Sequence, residues 1–336
     1  MISVIPLSVL DQSPLVSGHS ARQAIAETLA LARLVDGLGY RRYWLAEHHA
    51  IAAICDPCPE VLLARLGVET RNLRIGTGGV LLPYYSPFRV AETFRMLEAL
   101  YPGRIDLGIG RAPGGDSRTA RAVGGGRLPD PDRFPQQVVE LVGHLDGNLP
   151  ADHPDRGVRV QPEGGTVPEI WLLGSSDYSG ALAAGLGLRF AFAHFISAQG
   201  GDAVMHAYRS RYRASPREPL AHALLCCFVI CAETGAEAER HARVMDLRRL
   251  EMALRLEHPV PTLEQAEARR YTDEERRYIL SQRARTVIGD PQHCKSRLLE
   301  LAEQYAAEEL MVVTITGDYP SRARSYELLA EAWARQ

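Results

Sequence analysis

Lysine is nearly missing from this chain of 336 residues: Lys295 is the only one, and almost all of the 38 basic residues are arginine. The bias is that of a GC-rich coding sequence, not of a physical need. A block of like charge is also missing. The net charge is only −3 and no basic run breaks it, which argues against nucleic acid as a partner. The longest apolar stretch, around Leu224 to Cys231, is far too short to span a bilayer. Met1 leads straight into Val4-Ile5-Pro6-Leu7-Ser8-Val9-Leu10 without a basic segment, so no signal peptide is expected. Six cysteines lack a disulfide-scaffold pattern in so long a chain, and a reducing cytoplasm fits them. Cys55-Asp56-Pro57-Cys58 is a lone CxxC without a second pair and is not read as a metal site. No composition break, repeat or low-complexity segment divides the chain, which reads as one domain over residues 1–336.

What is present is sharpest at Tyr43-Trp44-Leu45-Ala46-Glu47-His48-His49. The apolar run suits a strand buried on both faces, and it ends in a carboxylate and two imidazoles. Such strand exits are where α/β folds collect their chemistry. Strands are predicted at Val4–Leu10, Tyr43–Ala46, Leu73–Gly79, Arg104–Gly110, Glu169–Gly174, Leu188–Ala193, Ala223–Ala232 and Leu310–Thr316. Helices are predicted from a Ser20 cap to a Gly39 stop, over Pro59–Thr70, from Pro87 through Leu100, over Pro135–Leu145 and over Ser176–Gly185. Eight strands alternating with helices favour a closed (β/α)8 TIM barrel, with a doubly wound open sheet as the alternative. Residues 236 to 285 are too long for a simple connection and form an insertion between the seventh and eighth strands.

In a barrel the strand exits share one face. Asp11 follows the first strand, Glu47, His48 and His49 the second, and Gly78 and Gly79 the third. Arg111 follows the fourth, Ser175 and Ser176 the fifth, and His194 the sixth. Glycines at 76, 78, 79, 108, 110 and 174 would let a flat ligand approach the backbone. The turn Gly174-Ser175-Ser176 into a helix would aim N–H groups and two hydroxyls at an anion. Ser179 could add a third hydroxyl, and Arg111 or Arg133 a charge. Gly108-Ile109-Gly110-Arg111-Ala112-Pro113 lacks the third glycine of a dinucleotide fingerprint, so reducing equivalents are expected to come from elsewhere. A phosphate subsite beside a glycine-lined slot suggests a phosphorylated planar cofactor.

The Trp-Leu-Ala-Glu-His-His segment, Gly76-Thr77-Gly78-Gly79-Val80-Leu81-Leu82-Pro83, Tyr85-Ser86-Pro87, the Gly-Ile-Gly-Arg-Ala-Pro-Gly-Gly run and Trp171-Leu172-Leu173-Gly174-Ser175-Ser176 together resemble the bacterial luciferase-like, flavin-dependent monooxygenases. The resemblance runs nearly end to end. It implies a TIM barrel that takes reduced FMN from a separate NAD(P)H:flavin reductase and inserts one atom of O2 into a small organic substrate, as such enzymes do in secondary metabolism. It places Glu47 and His48 by the isoalloxazine, with His48 the catalytic histidine. Gly78 and Gly79 fall where the family often has a cis peptide, and Gly110, Arg111, Gly174, Ser175, Ser176 and Ser179 on the cofactor's glycine-lined and phosphate sides. It further implies a mobile segment within residues 236–285 and a homodimer through Val61–Val68 and Val90–Leu100. A deazaflavin (F420)-dependent oxidoreductase and a non-catalytic flavin-binding protein are the alternatives. His49 is the rival of His48, and the direction of the His48 pKa stays open, since burial and a neighbouring carboxylate oppose each other.

Overall fold

The computed structural model describes residues 5–112 and 115–335. Val4 of the expected first strand, and Pro113 and Gly114 of the glycine-rich run, lie outside the described residues. Strand β1 (Leu7–Asp11) leads to helix α1 (Ala21–Gly37), followed by β2 (Arg42–Leu45), α2 (Pro59–Glu69), β3 (Arg74–Leu81) and α3 (Pro87–Leu100). Next come β4 (Ile105–Gly110), α4 (Ser117–Val123), α5 (Phe134–Asp146), β5 (Glu169–Gly174), α6 (Asp177–Leu186), β6 (Arg189–Ala193) and α7 (Gly201–Ser210). The chain ends with β7 (Ala223–Cys231), α8 (Gly235–Ala253), α9 (Leu263–Ala268), α10 (Asp273–Arg283), β8 (Thr286–Gly289), α11 (Pro291–Gln304), β9 (Glu309–Val313) and α12 (Tyr319–Ala334). Local signals account for many of these boundaries. Ser20 and Gln23 form a capping box at the start of α1, and Pro59 and Pro87 occupy first-turn positions where their missing N–H costs nothing.

Strands β1 to β7 pair in parallel with their neighbours, and β9 closes the circle between β7 and β1. The fold is therefore the expected (β/α)8 barrel. It carries one strand more than the sequence pattern indicates. The first part of β7, Leu224–Phe228, pairs with β9, while its last part, Phe228–Cys231, diverges to pair with β8. At four residues β8 is too short to show a period of its own, and it makes sense only as an extension of the end of β7. The expected insertion is present as α8, α9 and α10, followed by that strand and α11.

Side chains alternate across each strand, which gives the barrel two apolar layers. Leu7, Val9, Tyr43, Leu45, Ile75 and Leu107 face the helices. Leu10, Trp44, Trp171, Ala191, Leu224 and Met311 form an inner cluster. Beneath the inner cluster, at the strands' N-terminal ends, lies a polar lattice built on the fully buried Arg42. Its Nη1 donates to Asp106 and Glu169, each at 2.8 Å, and its Nε to Glu309 at 2.9 Å. Burial alone would lower the Arg42 pKa, but the three carboxylates more than offset it and hold the guanidinium charged. Trp44 rests on this lattice, its Nε1 donating to Asp106 at 2.9 Å, and meets Trp171 edge to face at 5.4 Å.

Candidate active site

Above the tryptophans the strand exits open into one cavity of about 890 Å³, well within the roughly 300–1,000 Å³ usual for a cofactor or ligand site. The ten site residues named from the sequence (Glu47, His48, Gly78, Gly79, Gly110, Arg111, Gly174, Ser175, Ser176 and Ser179) all line it.

The two histidines part ways. His48 lines the cavity, whereas the His49 ring lies 2.7 Å from Glu47 Oε1 and edge-on to Tyr84. Glu47 is buried, and its carboxylate is already engaged. It accepts from the Tyr85 hydroxyl at 2.6 Å and from the Leu81 N–H at 2.9 Å. Glu47 thus ties the end of β2 to the turn after β3 and holds His49 away from the cavity. No such partner reaches His48, whose Nδ1 is buried without a hydrogen bond. Burial lowers the His48 pKa to about 4, and the electrostatic effects of Arg248 and His49 push the same way. Its imidazole is neutral at pH 7.

On the far side of the cavity, β5 turns into α6. Ser176 occupies the N-cap of α6 with extended backbone, but its hydroxyl caps nothing and lies 3.4 Å from Ser179 Oγ. A Cβ on Gly174 would fall 2.1 Å from Ser179 Oγ, so only glycine admits this close approach. The Arg111 guanidinium sits 4.2 Å over the Tyr178 ring in the first turn of α6. Free helix N–H groups, two hydroxyls and a cation therefore meet at one place, which suits an anion. The Gly78–Gly79 peptide is cis.

Two strand-exit residues expected at this face are turned elsewhere. Asp11 is buried under α12, accepting from Arg322 Nη2 and the Ser13 N–H, each at 2.6 Å, and from the Tyr43 hydroxyl. The His194 ring packs on Tyr305, the residue that caps the end of α11, and burial lowers its pKa to about 4. Each lies one residue from a cavity-lining position, Gln12 and Ala193, because consecutive strand residues face opposite sides. Arg133 does not line the cavity, although Pro131 and Asp132 do.

Residues 6–308 match the family described as luciferase-like monooxygenase. The chain belongs to that family. It is 38% identical over 329 residues to the luciferase-like monooxygenase of Escherichia coli (strain K12), covering 96% of both chains. It is also 34% identical over 330 residues to the N-acetyl-S-alkylcysteine monooxygenase of Bacillus subtilis (strain 168), covering 98% of both. Among solved structures, apo-MsnO8 is 39% identical with a TM-score of 0.91 over 99% of both chains. The oxygenating constituent of 3,6-diketocamphane monooxygenase from Pseudomonas putida, solved with FMN, shares the fold at a TM-score of 0.70 and 19% identity, covering 98% of both chains. The enzyme is thus a luciferase-like monooxygenase.

Two parts of this monooxygenase's cavity escape the sequence reading. Ala191, Ala193, Leu224, Cys226 and Met311 form its wall on β6, β7 and β9. Those strands are apolar on both faces, so no alternation marks the inward side. The opposite wall, from Gly115 to Asp132, reads as a glycine- and arginine-rich loop but contains α4. Its signal was available: the Asp116 side chain accepts from the Thr119 N–H at 2.7 Å as an N-cap.

Proposed function

We propose that the enzyme is the oxygenating component of a two-component system: it takes reduced FMN from a separate NAD(P)H:flavin reductase and inserts one atom of O2 into a small organic substrate. The observation that carries this reading is the pairing, on one cavity, of an anion cradle at α6 with a neutral histidine at the exit of β2. The residues fit the cofactor. Ser175, Ser176, the α6 N-terminus and Arg111 would hold the phosphate. Gly78, Gly79 and Gly110 would lie along the ring system, and a Cβ at Gly110 would meet no protein atom within 4 Å. Bound there, reduced FMN supplies the activation of oxygen.

The chain's own work is to bind, orient and exclude water. Leu10, Trp44, Phe195, Ile196, Leu224 and Met311 give the cavity apolar walls that keep water from the reacting groups. His48, neutral at pH 7, is the group that takes up and returns a proton. Glu47 acts by position, holding the β2 exit and keeping His49 aside. The reading extends to a cytoplasmic homodimer. Six free cysteines suit a reducing compartment, and Val61, Val68, Met96 and Leu100 are exposed on α2 and α3.

The test supplies purified enzyme with a flavin reductase, NADH, FMN, ¹⁸O2 and a panel of aldehydes and polyketide-like aromatics. A product carrying one labelled oxygen is expected. Tight binding of a deazaflavin in competition with FMN, without label in any product, would replace this reading with hydride transfer.

A further inference from the structure

Among the described residues, six arginines lie over an aromatic ring. Five of them, Arg42, Arg104, Arg189, Arg249 and Arg269, are also fixed by hydrogen bonds. Arg111 differs. It makes no hydrogen bond or ion pair among the described residues, and its approach to the Tyr178 ring, at 4.2 Å, is the shortest of the six. An exposed arginine without a partner spreads over many rotamers, so the ring is what fixes the direction of this guanidinium.

The place of the pair gives it a task. Tyr178 stands in the first turn of α6, between the cap Ser176 and Ser179. Arg111 reaches the same turn from the end of β4 and lines the cavity together with Ser175, Ser176 and Ser179. It is the one arginine or lysine among the described residues of that lining, which also holds the acids Glu47, Asp116 and Asp132. The turn itself is not purely attractive to an anion. The Asp177 carboxylate accepts from the Tyr178 N–H at 2.8 Å, so it occupies one helix donor and repels an incoming phosphate. The cradle therefore depends on a cation held in place. A guanidinium stacked on a ring engages its face, while its five N–H donors lie in the plane and remain free for two phosphate oxygens.

We propose that Tyr178 is the positioning residue for Arg111, and that this stacked pair makes the site select phosphorylated flavins over riboflavin. The proposal rests on the reading of the α6 turn as the phosphate cradle, and the experiment keeps the two apart. FMN and riboflavin, both reduced under anaerobic conditions, are titrated calorimetrically into the wild type, Arg111→Met, Tyr178→Leu, Tyr178→Phe and the double variant Tyr178→Leu/Arg111→Met. The wild type should bind FMN at least about 10-fold more tightly than riboflavin, as a hydrogen-bonded charge pair provides. Arg111→Met should lose most of that preference. Tyr178→Leu should lose about 3- to 20-fold on FMN and nothing on riboflavin, the range of a cation–π contact. Tyr178→Phe keeps the ring and should match the wild type. In the double variant, loss of the ring should cost nothing beyond the loss in Arg111→Met, since the ring acts only through the guanidinium. A loss on riboflavin equal to that on FMN overturns the proposal, because the ring would then be a wall for the flavin itself or a support of the fold. A loss in Tyr178→Phe as large as in Tyr178→Leu overturns it by assigning the effect to the hydroxyl, and so does an undiminished effect of Tyr178→Leu in the Arg111→Met background. A preference for FMN that persists unchanged in Tyr178→Leu removes the clamp and leaves the cradle standing. A wild type that binds both flavins equally removes the cradle and the clamp together.

Discussion

The Glu47 carboxylate meets His49 at 2.7 Å and leaves His48 unpartnered, so the roles of two adjacent imidazoles follow from where one acid is turned. His48→Ala should bind FMN nearly normally and lose roughly 10²–10⁴-fold in turnover, the usual share of a general acid or base. His49→Ala should be much milder. Flavin titration together with steady-state kcat separates the two, and near-normal turnover in His48→Ala removes His48 from the chemistry. A second residue governs stability. Burial raises the Asp56 carboxyl to about 7 from an ordinary 3.8, with Asp11, Glu60 and Glu47 adding to the rise against a hydrogen bond from the Cys58 N–H. The folded state holds this proton more tightly than the unfolded chain. Its contribution to stability is therefore complete below about pH 3.8 and is lost as the pH rises to about 7. Asp56→Asn should melt above the wild type at pH 8, with the difference disappearing towards pH 4. A difference independent of pH would mean that Asp56 does not titrate in this way.

The turn from β5 into α6 acts as a unit, because hydroxyls, helix N–H groups and the Arg111 charge converge there. Removing the two serine hydroxyls and the charge together, in Ser175→Ala/Ser176→Ala/Arg111→Ala, should weaken FMN binding by at least about 100-fold. Each hydrogen bond to a charged group contributes about 1.5–3 kcal/mol. The α6 backbone is untouched, so the circular dichroism and melting of the variant should stay close to wild type. Unchanged FMN affinity would exclude this turn as the phosphate site. The long β7 shows the complementary case, in which one element serves two partners: its first half completes the barrel and its second half carries β8. That divergence leads into the α8 segment.

Across the whole molecule, the barrel is closed below by ions and above by the cavity. Arg42→Ala would leave Asp106, Glu169 and Glu309 crowded together without their cation. Breaking a buried pair in this way costs about 3–5 kcal/mol, so the urea midpoint should fall sharply. A midpoint within error of the wild type would show that the carboxylates are matched by Arg74, Arg189 and Arg41 alone. On the outer surface, Val68 and Leu100 are 71% and 53% exposed, more than a lone barrel needs to show. Val68→Asp/Leu100→Asp should convert a dimer to a monomer by light scattering. A wild type that is monomeric at micromolar concentration ends the dimer proposal.

Much of the barrel was legible in the residues, since capped helices and buried strands are local signals written in order along the chain. Ser20, Pro59 and Pro87 mark helix starts wherever they occur, and an apolar run ending in Glu47-His48-His49 marks a strand exit. The gathering of Glu47, Gly79, Arg111 and Ser176 on one cavity also follows, because a parallel barrel sends every strand exit to the same end. What one strand exit could not disclose is which of two neighbours faces inward. Asp11 and His194 looked like site residues and proved to be packed outward, since a strand apolar on both faces hides its alternation. The direction of the His48 pKa was likewise undecided until burial and Arg248 could be weighed against a carboxylate turned aside. Arg42 at the barrel base and β8 on the end of β7 depend on contacts between residues far apart in the chain. No local pattern encodes such contacts, and only the closed fold brings them together.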